Sequence, residues 1–248
     1  MTCRLCQAEV ALINSHIIPE FFYRPGYDDK GRMIAIRGEN IKPTFIQKGI
    51  RERLLCARCE KYLNDNYEFY FSKFWYSQQF LPKEALGDLY CIDGVDYSRF
   101  KLFMLSILWR AGVAKHEDFS KVNLGPHEDK IRNMLLKREP LTGDKYQIFG
   151  VLLLLPGTNK ICGGLIMPPI RSRFEGRHVF IFVFGGCVWH FIVSSHPIGP
   201  PMSDVALSEN GSIRLPTFDL KFFTPIHGSM TTKMNIIRQA NWKKPWRG

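Results

Sequence analysis

Two pairs of cysteines with the same internal spacing, Cys3 and Cys6 in "CRLC" and Cys56 and Cys59 in "CARC", are the residues most plainly placed to do chemistry. Two thiolates separated by two residues can bind one ion from a single tight turn, and two such turns complete a tetrahedral site at a Zn–S distance of about 2.3 Å. A cage with four protein ligands keeps no open coordination position, so Zn²⁺ held there is expected to be structural. Everything from Gln7 to Leu55 then becomes a lobe whose ends the metal holds together. The total of seven cysteines is odd, and four fall in CxxC pairs, which points to metal ligation before disulfides. Cys91, Cys162 and Cys187 are left as expected buried thiols, acting as small apolar fillers.

Inside the lobe stands "INSHIIPEFF", with His16 and Pro19. The order CxxC, strand, "HIIP", long loop, "LCxxC" and helix resembles the HNH endonucleases, whose module is a zinc-stapled ββα-metal fold; the resemblance covers about the first third of the chain. It implies that His16 is the general base that activates water against a phosphodiester, a role suited to an imidazole that stays largely uncharged near neutral pH. Members of that family carry Asp just before this histidine and His or Asn just after the last cysteine, gathered around a catalytic divalent ion. This chain has Ser15 and Glu60 at those places. Ser15 is a poor ligand, whereas Glu60 offers a hard oxygen suited to Mg²⁺ or Mn²⁺. An acid in the first turn of a helix is also favoured by the helix dipole, so both roles are open to Glu60. Asn64, one turn on, is positioned to assist, and Glu68, a further turn on, is expected on a solvated helix face. Asn40 in "RGENIKP" stands where the family's middle Asn organises the loop.

The formal charge of +11 favours polyanionic partners. Lys48, Arg51, Arg53 and Arg58, in the loop and second knuckle, are candidates for holding a nucleic-acid backbone without reading its sequence. The excess of cations is greatest in residues 151–248, with eleven Lys and Arg against four Asp and Glu. There "RSRFEGRH" and the tail "RQANWKKPWRG" interleave aromatics with cations, a combination that can stack on bases while neutralising phosphates. His190 and His196 have no ligand spacing to a partner and read as structural.

These groups need elements to position them. Residues 1–80 read as the HNH-like module, with strands in "EVALINSH" and "IRERLLC", a surface loop over 24–50, and a helix in "EKYLNDNYEFYFSKFW". Residues 81–145 read as helical scaffold: "DYSRFKLFMLSILWRAGVAK" carries Phe100, Phe103, Met104, Ile107, Leu108 and Ala111 on one stripe with Asp96 as N-cap, and "GPHEDKIRNMLLKREP" opens at Pro126 and stops at Pro140. Residues 146–248 change to apolar and aromatic runs punctuated by Gly and Pro, and "FGGC" reads as a two-residue hairpin turn. The expected class is α+β: an amino-terminal zinc-stapled ββα-metal module, a helical middle and a β-rich carboxy-terminal half.

With 45% hydrophobic and 23% charged residues, the composition excludes wholesale disorder. No secretory leader is apparent, and the longest apolar run, Val179 to Val193, is interrupted by Gly185 and Gly186 and is too short for a spanning helix. A cytoplasmic protein with no membrane partner is expected. Function narrows to a metal-dependent DNA endonuclease, with the context of a defence or mobile-element effector implied by the resemblance. The alternatives are a catalytically inactive zinc-stapled module that binds nucleic acid or protein, and a toxin-like subunit silenced by a partner. The carboxy-terminal half is the expected surface for a protein partner or a second copy.

Overall fold

The computed structural model describes residues 1–35, 44–76 and 87–222. Asn40 and the basic tail lie outside the described residues. The strands and helices fall in the order β1 (Ile13–His16), β2 (Arg32–Ala35), β3 (Thr44–Gln47), β4 (Arg51–Leu55), α1 (Ala57–Leu63), a π-helical segment (Asn64–Glu68), α2 (Phe69–Tyr76), β5 (Leu89–Ile92), α3 (Tyr97–Val113), α4 (His127–Lys137), β6 (Ile148–Leu154), β7 (Met167–Phe174), β8 (Arg177–Phe184), β9 (Cys187–Val193) and β10 (Ile213–Asp219). The class is α+β.

Strands β1 and β4 pair antiparallel with His16 opposite Arg51, Ser15 opposite Glu52 and Asn14 opposite Arg53. Helix α1 follows β4 after one residue, Cys56, which is its N-cap in an extended conformation. Residues 24–50, expected as a loop, contain the β2–β3 hairpin, with Arg32 paired to Gln47 and Ile34 to Phe45. Asp28 anchors its entry: the carboxylate accepts from the backbone N–H groups of Lys30 and Arg32 and pairs with the Arg32 guanidinium.

Six strands form one mixed sheet in the order β5-β10-β6-β9-β8-β7. All its pairings are antiparallel except β10 with β6. Gly185 and Gly186, at φ +61° and +82°, make the two-residue turn between β8 and β9, where the paired positive φ suits only glycine without strain. Strand β5 comes from the stretch read as helical scaffold, so the carboxy-terminal sheet recruits an edge from the middle of the chain.

Helix α3 lies at the centre. Asp96 caps it by accepting from the Arg99 N–H at 3.0 Å, and every residue from Phe100 to Ala111 is buried, well beyond one apolar stripe. A helix buried on all sides has neighbours on all sides. Phe103 stacks on Phe71 of α2 at 4.0 Å between ring centroids, and Phe100 meets Trp189 of β9 at 6.0 Å. Phe22, just after the "HIIP" stretch, packs on Phe184 at 4.7 Å, and the Trp75 indole N–H donates to the Gly185 carbonyl at 2.9 Å. One hydrophobic cluster therefore runs from Cys3 through α3 to Leu215. Of the three remaining cysteines, Cys162 and Cys187 are buried as expected, but Cys91 on strand β5 is exposed. No helix among the described residues is long and apolar enough to cross a membrane.

Candidate metal cage and adjoining histidine–carboxylate site

The Sγ atoms of Cys3, Cys6, Cys56 and Cys59 all lie within 4.8 Å of one another. Tetrahedral ligation with Zn–S bonds of about 2.3 Å spaces the sulfurs about 3.8 Å apart, so a slight contraction completes the cage and these four residues could hold a zinc ion. Cys3 N–H donates to Ala8 O and closes the first knuckle, while Arg4 N–H to Leu54 O and Cys56 N–H to Cys3 Sγ at 3.3 Å bring the two knuckles together. The backbone N–H of Ala8 is the main influence holding the Cys6 thiol down at about 7, while burial pushes the Cys59 thiol up. Four thiols this close cannot all ionise without a cation among them, which is the electrostatic mark of a metal cage.

His16 ends strand β1. Its Nε2 lies 2.8 Å from the carbonyl of Lys48. A carbonyl only accepts, so Nε2 carries the proton and Nδ1 is the free basic nitrogen of the neutral ring. The turn that aims this carbonyl is tightly determined: Lys48 and Gly49 both have φ of +61°, and a Cβ on Gly49 would come within 2.7 Å of the Tyr23 ring. Burial lowers the His16 pKa; the carboxylates of Glu20 and Glu68 pull it the other way. Directly opposed residues of an antiparallel pair share a sheet face, so Arg51 and Arg53 lie on the face of His16 and Asn14, while Ser15 and Glu52 face the other way. Lys48, Arg51, Arg53 and Arg58 are all exposed.

Glu60, in the first turn of α1, is raised in pKa by burial, with the Arg110 guanidinium and the Ser15 hydroxyl working against that rise. Its Oε2 and the Ser15 Oγ are buried and lack a partner at hydrogen-bonding geometry among the described residues. Asn64 is exposed, and its amide donates to Asp65 Oδ1 at 3.3 Å. Glu68, expected on a solvated face, instead has a side chain only 16% exposed and pairs with Arg110 at 2.8 Å.

Arg110 is the residue that sequence reasoning missed. It is fully buried, its Nη1 forming an ion pair with Glu68 Oε1 at 2.8 Å and donating to the His16 carbonyl at 3.0 Å, and its Nε and Nη2 donating to Ser106 O and Oγ. An arginine within the mostly apolar run Leu102–Ala111 was the available signal, since a charge buried there needs a partner elsewhere in the chain. Through it the central helix joins the strand of His16 to the helix of Glu60 and Glu68. Comparison of the chain with protein-family models, with curated proteins and with solved structures finds no match.

Proposed function

We propose that this protein is a metal-dependent endonuclease of HNH type that hydrolyses phosphodiester bonds in DNA, with zinc in its cysteine cage. The observation that carries this reading is the state of His16: the Lys48 carbonyl accepts a hydrogen bond from Nε2–H and so leaves Nδ1 as the base, and burial favours the neutral ring, able to accept a proton. His16 Nδ1 takes the proton of the attacking water. Arg51 and Arg53, on the same strand face, neutralise the flanking phosphates, and the exposed Lys48 and Arg58 extend that contact. Glu60, with Asn64 or another oxygen donor nearby, would hold Mg²⁺ or Mn²⁺. Such an ion, when bound, supplies charge stabilisation at the 3′ oxygen as the bond breaks. The caged zinc keeps β1 and α1 in fixed relation and takes no part in the chemistry.

A second reading is favoured by one residue. Ser15 stands where an acidic ligand is expected, which suits a zinc-stapled module that grips DNA or a protein and cuts nothing. Plasmid nicking with Mg²⁺ or Mn²⁺ separates the two. The wild type should nick, and His16→Ala and Glu60→Ala should each lower the rate about 10²- to 10⁴-fold while leaving DNA retention in a gel shift nearly intact. Equal nicking by His16→Ala removes the nuclease reading, and binding without nicking by the wild type selects the second.

A further inference from the structure

The register of the β7–β8 hairpin sorts the residues of "RSRFEGRH" onto two faces. Arg171 stands opposite Phe180 and Arg173 opposite His178, and directly opposed residues of an antiparallel pair share a face. Ser172 stands opposite Val179 and Phe174 opposite Arg177, so these lie on the other face. The two arginines are thus parted from the aromatic that could stack on a base.

Strand β7 is an edge of the six-stranded sheet. Inward from it, the face of Arg171 carries Phe180 and Phe191, both buried in the central cluster; at the edge that cluster ends, and Arg171 and Arg173 are exposed. Arg171 Nη2 lies 3.4 Å from His178 Nδ1, which accepts, since a guanidinium only donates. The remaining donors of Arg171, and all those of Arg173, have no acceptor among the described residues. The turn Glu117–Phe119 packs beside β7, yet neither arginine pairs with a carboxylate among the described residues. Arg177 differs, because Glu175 neutralises it at 3.2 Å.

Two positions along one strand face set Arg171 and Arg173 about 7 Å apart. Unpaired guanidinium groups at that spacing, with no aromatic on their side of the strand, suit neighbouring phosphates of one strand and read no base. We propose that Arg171 and Arg173 form a second contact with the sugar–phosphate backbone of duplex DNA, separate from Arg51 and Arg53. This rests on the nuclease reading only for the choice of DNA as the polyanion. Strand β8 runs on from His178 to Phe184, the ring that meets Phe22 of the first lobe, so the contact lies about 20 Å from that wall, a span of about six base pairs.

The test is fluorescence anisotropy of the zinc-loaded full chain on a labelled duplex of mixed sequence, without added Mg²⁺ or Mn²⁺ so that nothing is cut. Replacing both Arg171 and Arg173 by Gln should raise the Kd about tenfold or more at about 0.1 M salt, and should lower the slope of log K against log salt by about 2. Phe174→Ala, and Arg214→Gln at an exposed position of β10 in the same sheet, should each bind within about twofold of wild type. No DNA binding by wild type, wild-type affinity and slope in the double variant, or equal weakening by Phe174→Ala or Arg214→Gln overturns the proposal. Unchanged DNA affinity with lost binding to phosphatidylserine vesicles would assign the face to a membrane, and unchanged affinity with new self-association would make the arginines protection for an open strand edge; each also overturns it. Arginine-dependent DNA binding in a protein that nicks nothing would leave this surface standing and remove the nuclease. Nicking that needs His16, with DNA affinity indifferent to both arginines, would do the reverse.

Discussion

Replacing Arg110 by Met should be among the most damaging single changes available in this chain, and its cost should depend on Glu68. The guanidinium is fully buried, pairs with Glu68 Oε1 at 2.8 Å, and makes three hydrogen bonds, to the His16 carbonyl, Ser106 O and Ser106 Oγ. Met fills a similar volume, so cavity formation is minor and the electrostatic change dominates. Glu68, only 16% exposed, is left with no countercharge, and losing one partner of a buried pair costs about 3–5 kcal/mol. At about 2–4 °C per kcal/mol for a chain of this size, the melting temperature should fall by roughly 6–20 °C. Glu68→Gln alone leaves an oxygen for Arg110 and should cost about 1–3 kcal/mol. The double variant removes both charges, so it should be more stable than the sum of the single losses allows, by about 1–3 kcal/mol. Denaturant and thermal unfolding of the four zinc-loaded proteins close the cycle. A loss below about 1 kcal/mol in Arg110→Met, or single losses that add within about 0.5 kcal/mol, would refute the claim that this pair is a coupled, desolvated unit.

Two other outcomes follow from separate parts of the molecule. The purified chain should contain one zinc per molecule by elemental analysis, and chelation or Cys56→Ser should abolish the native melt as a whole, because the cage residues belong to the same hydrophobic cluster as Phe103 and Trp189; absence of stoichiometric zinc, or a melt that survives chelation unchanged, contradicts the cage. His190 stacks on Phe149 at 4.4 Å, and burial pushes its pKa down to about 4, so the unfolded chain binds the extra proton first as pH falls. The stability it contributes is fully present above about pH 6.5 and is lost toward pH 4, by about 3 kcal/mol in all, and His190→Leu should flatten that part of the pH–melting curve; an equally steep curve in the variant assigns the acid sensitivity elsewhere.

What could be read from the sequence was what local spacing encodes. Two residues between cysteines dictate a knuckle, so the cage was legible; paired glycines demand positive φ, so the β8–β9 turn was legible; Asp96 before an apolar run marked the start of α3. The β2–β3 hairpin was hidden because its four-residue strands lie in a stretch rich in Gly and charge, where no alternation is long enough to register. Strand β5 was hidden for the same reason of length, and with it the exposure of Cys91 at its sheet edge. The positions of Asn64 and Glu68 were read on regular helical arithmetic, which the π-helical segment breaks. Nothing local specifies that segment, and its inward-facing acid meets an arginine 42 positions away, a pairing set only once α3 is in place. The whole-face burial of α3 was likewise a tertiary fact, since a polar residue such as Arg110 reads as a solvated one until its partner is known.

The contact between Trp75 and the Gly185 carbonyl, with Phe22 against the same turn, makes the first lobe and the large sheet share a wall. A Cβ at position 185 would sit 2.6 Å from the Phe22 ring, so the two surfaces are matched to a single atom's width. Such a lobe is poorly suited to be a cassette. Recombination or grafting that trades the first lobe for a homologous block must carry a compatible β8–β9 hairpin with it.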